Sequence, residues 1–276
     1  MVEERVFSVP QGEVHYWVSR CGGPERPWLV FLPGLTADHR LFDRQIEGLS
    51  TKFSCLTWDP PAHGASRPFS LDFTLEDWAL WLHGILEREE VSRPVLVGQS
   101  MGGYLAQVFL SRYPGQGAGF VSIDSCPLER SYYTAVELWL LRHTGGLFQA
   151  IPWPLLRYWG IRGTASTAYG RALMGEMMDS YSREEYCRLA VHGYRMLAWA
   201  AESGMVDRPG CPVLLLCGQR DAAGSSRRYN RAWARRTGYR VHWLTGAGHN
   251  ANCDAWEEVN FLIERFAGSL SENREQ

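Results

Sequence analysis

Chemistry is most legible at Gly98-Gln99-Ser100-Met101-Gly102-Gly103, which follows the apolar run Val95-Leu96-Val97 and precedes Tyr104-Leu105-Ala106-Gln107-Val108-Phe109-Leu110. A strand that turns sharply into a helix lifts a serine hydroxyl above a sheet. The turn is so tight that the residues two places to either side of the serine must be very small. Gly98 and Gly102 stand at those places. The helix that follows aims its N-terminus at Ser100, which favours negative charge developing there. The bland alternative is a glycine-rich turn that only packs helix against sheet. The flanking strand, the helix and Gly103 weigh against it.

A serine hydroxyl is a weak nucleophile near neutral pH and needs a base within hydrogen-bonding reach. Leu216-Cys217-Gly218-Gln219-Arg220-Asp221 puts an acid just past an apolar run, and Thr245-Gly246-Ala247-Gly248-His249-Asn250 puts a histidine in a glycine-rich loop. Asp221 comes 121 residues after Ser100, and His249 a further 28. Asp124, after the run Phe120 to Ile123, is the alternative acid. Of the eight histidines only His249 has flanking glycines and a helical pattern behind it.

The elements that must hold these groups follow a simple rhythm. Arg5–Val9 and Glu13–Val18 flank Pro10-Gln11-Gly12 and partly alternate in polarity, as a hairpin with one wet face does. A loop at Gly22-Gly23-Pro24 follows. Trp28–Leu32, Cys55–Trp58, Val95–Val97, Phe120–Ile123, Val213–Leu216 and, more weakly, Val241–Leu244 are short and apolar throughout, as parallel strands covered on both faces are. Thr74 with Asp77 three places on predicts a helix start, with Leu75, Trp78, Leu82 and Ile85 on one face. A last helix carries Ala255, Val259, Leu262, Ile263 and Phe266, with Asn252 or Asp254 as its cap and Gly268 as its end; Ser269–Gln276 reads as a frayed tail. From Pro127 to Arg208 no strand pattern recurs, and the stretch is too long for a structureless loop, so it reads as a helical insertion.

Serine, acid and histidine in that order, with these elements, resemble the α/β-hydrolase superfamily in its serine-nucleophile, helical-capped branch. The resemblance covers nearly all of the chain and least of the insertion. It implies an α/β fold with a mostly parallel central sheet, an antiparallel N-terminal hairpin and helices on both faces. The core is then 1–126 with 209–276, and the cap, or lid, is 127–208. It places the nucleophile at Ser100, the orienting acid at Asp221 and the base at His249. The oxyanion donors are the backbone N–H groups of Leu35 and Met101. The family's usual His-Gly before the first donor is here Leu32-Pro33-Gly34-Leu35, and its D-x-x-G-x-G-x-S stretch is Asp59-Pro60-Pro61-Ala62-His63-Gly64-Ala65-Ser66, read as structural.

The expected activity is hydrolysis of a small-molecule carboxylic ester or lactone through an acyl-enzyme, with no metal or organic cofactor. A carbon–carbon bond hydrolase or perhydrolase could use the same triad. So could a small-molecule sensor that keeps the hydrolase shell, since fold alone does not settle function. Trp139, Trp153, Trp159 and Tyr194 are candidate pocket walls, against the alternative of ordinary core aromatics. Arg142, Arg157 and Arg195 could read a substrate carboxylate, against the alternative of a solvated face.

The 276 residues carry a formal net charge of −2, which argues against a nucleic-acid partner. No uninterrupted apolar run approaches the roughly 18 residues of a membrane span, and the first residues do not form a secretory signal. Seven scattered cysteines without a CxxC pair predict reduced thiols in a cytoplasmic protein. The residue pattern leaves the oligomeric state open.

Overall fold

A computed structural model describes residues 2–22, 27–205 and 208–272. Eight strands form one sheet: β1 (Val2–Val9), β2 (Gly12–Ser19), β3 (Leu29–Leu32), β4 (Cys55–Trp58), β5 (Val95–Gln99), β6 (Gly119–Ile123), β7 (Val213–Gly218) and β8 (Val241–Leu244). Their order is β1-β2-β4-β3-β5-β6-β7-β8. β1 pairs with β2, and β2 with β4, antiparallel; the remaining neighbours are parallel. The expected hairpin and all six later strands are therefore present. Of the expected loop at 22–24, Gly23 and Pro24 lie outside the described residues.

The helices are α1 (Asp43–Leu49), α2 (Leu75–Arg88), α3 (Met101–Arg112), α4 (Ala135–Arg142), α5 (Gly145–Ala150), α6 (Trp153–Thr164), α7 (Ala168–Asp179), α8 (Arg183–Glu202), α9 (Ser226–Thr237), α10 (Ala251–Asp254) and α11 (Trp256–Glu272). α4 to α8 are inserted between β6 and β7, and among the described residues of 127–208 there is no strand. The start of α2 forms as its residues predict. Asp77 N donates to Thr74 Oγ1, and Thr74 N donates back to Asp77 Oδ2 at 2.8 Å.

Continuous apolar runs serve two cores at once, because successive strand residues face opposite ways. Leu29, Phe31, Val95, Val97, Val121, Ile123, Leu214 and Leu216 pack on one face with Val259, Ile263 and Ala267 of α11. Val30, Leu32, Leu96, Phe120 and Leu215 pack on the other with Trp78, Leu82 and Ile85 of α2 and with Leu105 and Phe109 of α3. Each such side chain removed from water contributes roughly 1.5–3 kcal/mol. The parallel strands all end at one rim. The loops after β3, β5, β6, β7 and β8 gather there, the usual place for ligands on such a sheet.

The last helix departs from expectation at both ends. Asn252 and Asp254 cap nothing at its start: the Asn252 amide donates to Leu41 O at 2.7 Å, and Asp254 accepts from other loops. Gly268 does not stop it either, and the helix continues to Glu272. Leu270, one turn beyond Phe266, packs with it against Gly119 of β6 and rewards that extra turn. Residues 273–276 of the expected tail lie outside the described residues.

Candidate active site

Ser100 sits between β5 and α3 with φ 50° and ψ −115°, a conformation that costs an L-residue roughly 1–3 kcal/mol. Its N–H donates to Ile123 O at 2.9 Å, and its carbonyl accepts from Gly103 N at 2.9 Å, so neighbouring backbone enforces the turn. The glycines are required by contact. A Cβ on Gly98 would stand 2.4 Å from Gly102 O, and one on Gly102 would stand 1.8 Å from Leu32 O. Gly34, in the turn after β3, is as crowded: a Cβ there would meet Gln99 Oε1 at 2.3 Å and Ser100 Cβ at 3.1 Å. The β3 turn therefore lies directly against the serine.

Asp221 and His249 meet across the ends of β7 and β8. His249 Nδ1 donates to Asp221 Oδ1 at 3.1 Å, which leaves Nε2 for another partner. Asp221 Oδ1 also accepts from Ala223 N at 2.8 Å. Burial opposes charge on the imidazole, but the charge and hydrogen bond of Asp221, with Asp124 behind it, outweigh burial and raise the His249 pKa above 6.5. Burial likewise opposes the Asp221 carboxylate. His249 and the neighbouring donors outweigh it, so Asp221 stays below the usual carboxylate range.

Asp124 is differently placed. Its Oδ1 accepts from Gly218 N at 2.7 Å and its Oδ2 from Ala251 N at 3.1 Å, so it clamps the backbone of both loops. Burial first, and then the charge of Asp221, push its carboxyl well above the usual range.

Three further side chains join these loops, and none stood out as a site residue in the sequence. Gln99, the residue before Ser100, is buried; its Nε2 donates to His249 O at 2.9 Å and to Asn250 Oδ1 at 3.2 Å. The elbow and the histidine loop are thereby in contact. Asn250 N in turn donates to Thr164 O at the end of α6 (2.7 Å). Asp254 collects four donors: Gly248 N (2.8 Å), Ser166 N (2.7 Å), Thr167 N (2.8 Å) and Thr167 Oγ1 (2.7 Å). One carboxylate thus fastens the histidine loop to the turn between α6 and α7. A local signal existed for Gln99, a long amide inside a glycine-tight turn. The partners of Asp254 in the α6–α7 turn lie 87 and 88 residues away and leave no local trace.

Leu35 follows Gly34 in the turn after β3, and Met101 is the first residue of α3, where an N–H has no intrahelical acceptor. Among the aromatics, Trp153 packs edge-on against Tyr186 at 5.4 Å, and Tyr194 lies 5.7 Å from Phe148. Tyr186 itself lies beside Thr36, next to Leu35. Trp139 and Trp159 are more than half exposed, and Trp139 stacks on His143. Arg142 pairs with Glu202 and Arg157 with Asp179, whereas Arg195 reaches only Arg142 O, at 3.5 Å.

Among the described residues two groups bring ligand-type atoms within 4.8 Å of one another: Asp38, His39 and Asp59, and Asp124, Cys217 and Asp221. Their carboxylates already have donors. Asp59 accepts from His39 and Ala65, Asp38 from Arg40, and Asp124 and Asp221 from the groups named above. The donor sets fit internal hydrogen bonding. Among the described residues no helix is long and apolar enough to cross a membrane.

A sheet of this order with a strained serine after β5 and a paired acid and histidine after β7 and β8 defines a class. The chain belongs to the alpha/beta hydrolase family, whose model matches residues 29–260. It is 24% identical over 266 residues to the serine hydrolase BPHL of Mus musculus, covering 92% of this chain and 83% of that one. A shorter match, 32% identical over 96 residues, is to the magnesium-chelatase 30 kDa subunit of Rhodobacter capsulatus; it spans 34% of each chain, about a third of that relative. Among solved structures, a thermophilic esterase from Thermogutta terrifontis superposes with a TM-score of 0.73 at 21% identity, over 98% of this chain and 99% of that one. The enol-lactonase from Burkholderia xenovorans LB400 superposes with a TM-score of 0.72 at 19% identity, over 95% and 99%. These two likenesses show the fold.

Proposed function

We propose that this protein is a serine hydrolase that cleaves a small-molecule carboxylic ester or lactone through an acyl-enzyme. His249 Nε2 takes the Ser100 proton as the serine oxygen attacks the substrate carbonyl. The backbone N–H groups of Leu35 and Met101 hold the resulting oxyanion, a contribution worth ~10²–10³-fold per donor in such sites. Asp221 fixes the imidazole and stabilises its charged form. His249 then gives the proton to the leaving oxygen, and afterwards deprotonates the water that releases the acid.

The observation that carries the reading is the Asp221–His249 bond at 3.1 Å, together with the Gln99 amide that ties the His249 carbonyl to the serine turn at 2.9 Å. The names of the esterase, the enol-lactonase and the serine hydrolase relatives support the substrate class. Residues 127–208 are assigned the role of the cap. Trp153 and Tyr194, with Tyr186 between Trp153 and Thr36, are assigned as walls of the acyl pocket. Seven free thiols support a reducing compartment.

The test is steady-state turnover of a panel of p-nitrophenyl esters and lactones by the wild-type protein and by Ser100→Ala. Many turnovers by the wild type and none above background in Ser100→Ala are expected. A single slow turnover with a persistent adduct would mark a sensor instead. Turnover that survives in Ser100→Ala would overturn the assignment. The rate should climb with pH through a kinetic pKa above 6.5, because the base must be neutral and its pKa is raised.

A further inference from the structure

α8 works on two sides. Towards the sheet rim, Gly193 lets the β3 turn approach: a Cβ there would stand 2.5 Å from Leu35 Cδ1. Around the helix from it, Arg183, Arg188, Val191, His192 and Arg195, together with Leu71 and with Gly145 and Gln149 of α5, border a half-open cavity of about 700 Å³. That volume falls within the roughly 300–1,000 Å³ of small-molecule sites. Neither Ser100 nor His249 is among its lining residues.

Its charge is left unbalanced. Three arginines face one carboxylate, Glu184. Among the described residues Arg183 donates only to the main-chain carbonyls of Gln149 and Ile151, at 2.5 and 3.3 Å, and Arg195 only to that of Arg142, and all three arginines are exposed. Arg188 has no hydrogen-bond or ion-pair partner among the described residues. Elsewhere in the insertion, Arg142 and Arg157 each hold a carboxylate. The His192 ring also lines the cavity. It packs edge-on against Phe73 at 4.7 Å.

We propose that this cavity is a second binding site, for a small molecule bearing a carboxylate or phosphate group. The planar guanidinium groups of Arg188 and Arg195 suit either oxyanion in a two-point contact, and Arg183 adds charge. The His192 ring forms part of the same wall. Because α8 also backs Leu35, the occupied site lies one helix away from the turn that carries a proposed oxyanion donor.

The test follows the His192 ring proton by NMR, assigned with His192→Gln, at constant ionic strength. Inorganic phosphate is titrated in one arm and succinate in the other. A saturable His192 shift is expected in at least one arm, and the tighter arm identifies the oxyanion. Arg188→Gln/Arg195→Gln should weaken that binding by ~10-fold or more, the worth of one charged hydrogen bond. Ser100→Ala should leave it unchanged, which separates this site from the hydrolytic one. No saturable shift in either arm would overturn the proposal, as would undiminished affinity in the double variant with an unchanged melting temperature. Tighter binding of a duplex oligonucleotide than of either small anion would also overturn it.

Discussion

At the rim of the sheet one methyl group is too many at Gly98, Gly102 and Gly218, whereas along the inserted helices tight places such as Gly160 and Gly193 alternate with open ones such as Gly163. A Cβ on Gly102 would overlap Leu32 O and one on Gly218 would meet Gly248 O at 2.1 Å, yet Gly163 in α6 has nothing within 4 Å. Tryptophans divide in the same way. Trp58 and Trp78 are fully buried beneath the sheet, while Trp139 and Trp159 on the insertion are 56% and 52% exposed. The rim is held by main-chain contact and buried amides, and the insertion by capped helices that bury Leu138, Met177, Leu189 and Ala198 in the cores. Reaction chemistry needs atoms placed to a fraction of an ångström, whereas a pocket wall can change its side chains and keep its fold.

The sharpest way to break this comparison lies within the rim, between its two buried acids. Asp221→Asn should lower kcat by ~10⁴-fold, the usual effect of losing control of the histidine tautomer. It should also move the kinetic pKa down, because Asp221 supplies most of what raises His249. Asp124→Asn removes an acceptor from Gly218 N and Ala251 N rather than from the imidazole, and should cost only ~10–100-fold. Steady-state pH profiles of both variants check the order. A larger loss in Asp124→Asn would exchange the two roles.

A second pair contrasts the regions directly. Gly102→Ala should destabilise the fold by ~1–3 kcal/mol through overpacking and abolish turnover by displacing Ser100. Gly163→Ala should stabilise it by ~0.5–1 kcal/mol and leave turnover unchanged. Denaturant melts and ester assays on the same samples report both quantities.

The smallest expected effect lies at the seam. Asp254→Ala removes the acceptor shared by Gly248 and the α6–α7 turn, and should lower kcat/KM by ~10-fold. Asp254→Asn keeps one carbonyl acceptor and should recover part of that loss. Equal activity in both variants and wild type would show that the insertion and the histidine loop are not coupled there.

Much of this arrangement was legible before any coordinates. Uniform apolar runs such as Leu29–Leu32 report burial on both faces, and tight glycines report a turn that only one backbone path allows. Serine, acid and histidine order reports which strand ends they occupy. The joints were not legible. Asp254 reads locally as a helix cap because Asp is a common cap residue, but its partners are Gly248 in the histidine loop and Ser166 and Thr167 in the middle of the insertion. The end of α11 departs from its local signal for a similar reason: Gly268 is a good stop signal, but the contact of Leu270 with β6 outweighs it. Local propensity loses to tertiary contact in both cases.

Peptide mapping after treatment with a serine-directed fluorophosphonate tests the central assignment most directly. One adduct on Ser100 is predicted, slowed by at least ~10³-fold in His249→Ala and absent in Ser100→Ala. An adduct on any other residue, or labelling of Ser100 that proceeds unslowed without His249, would contradict the account.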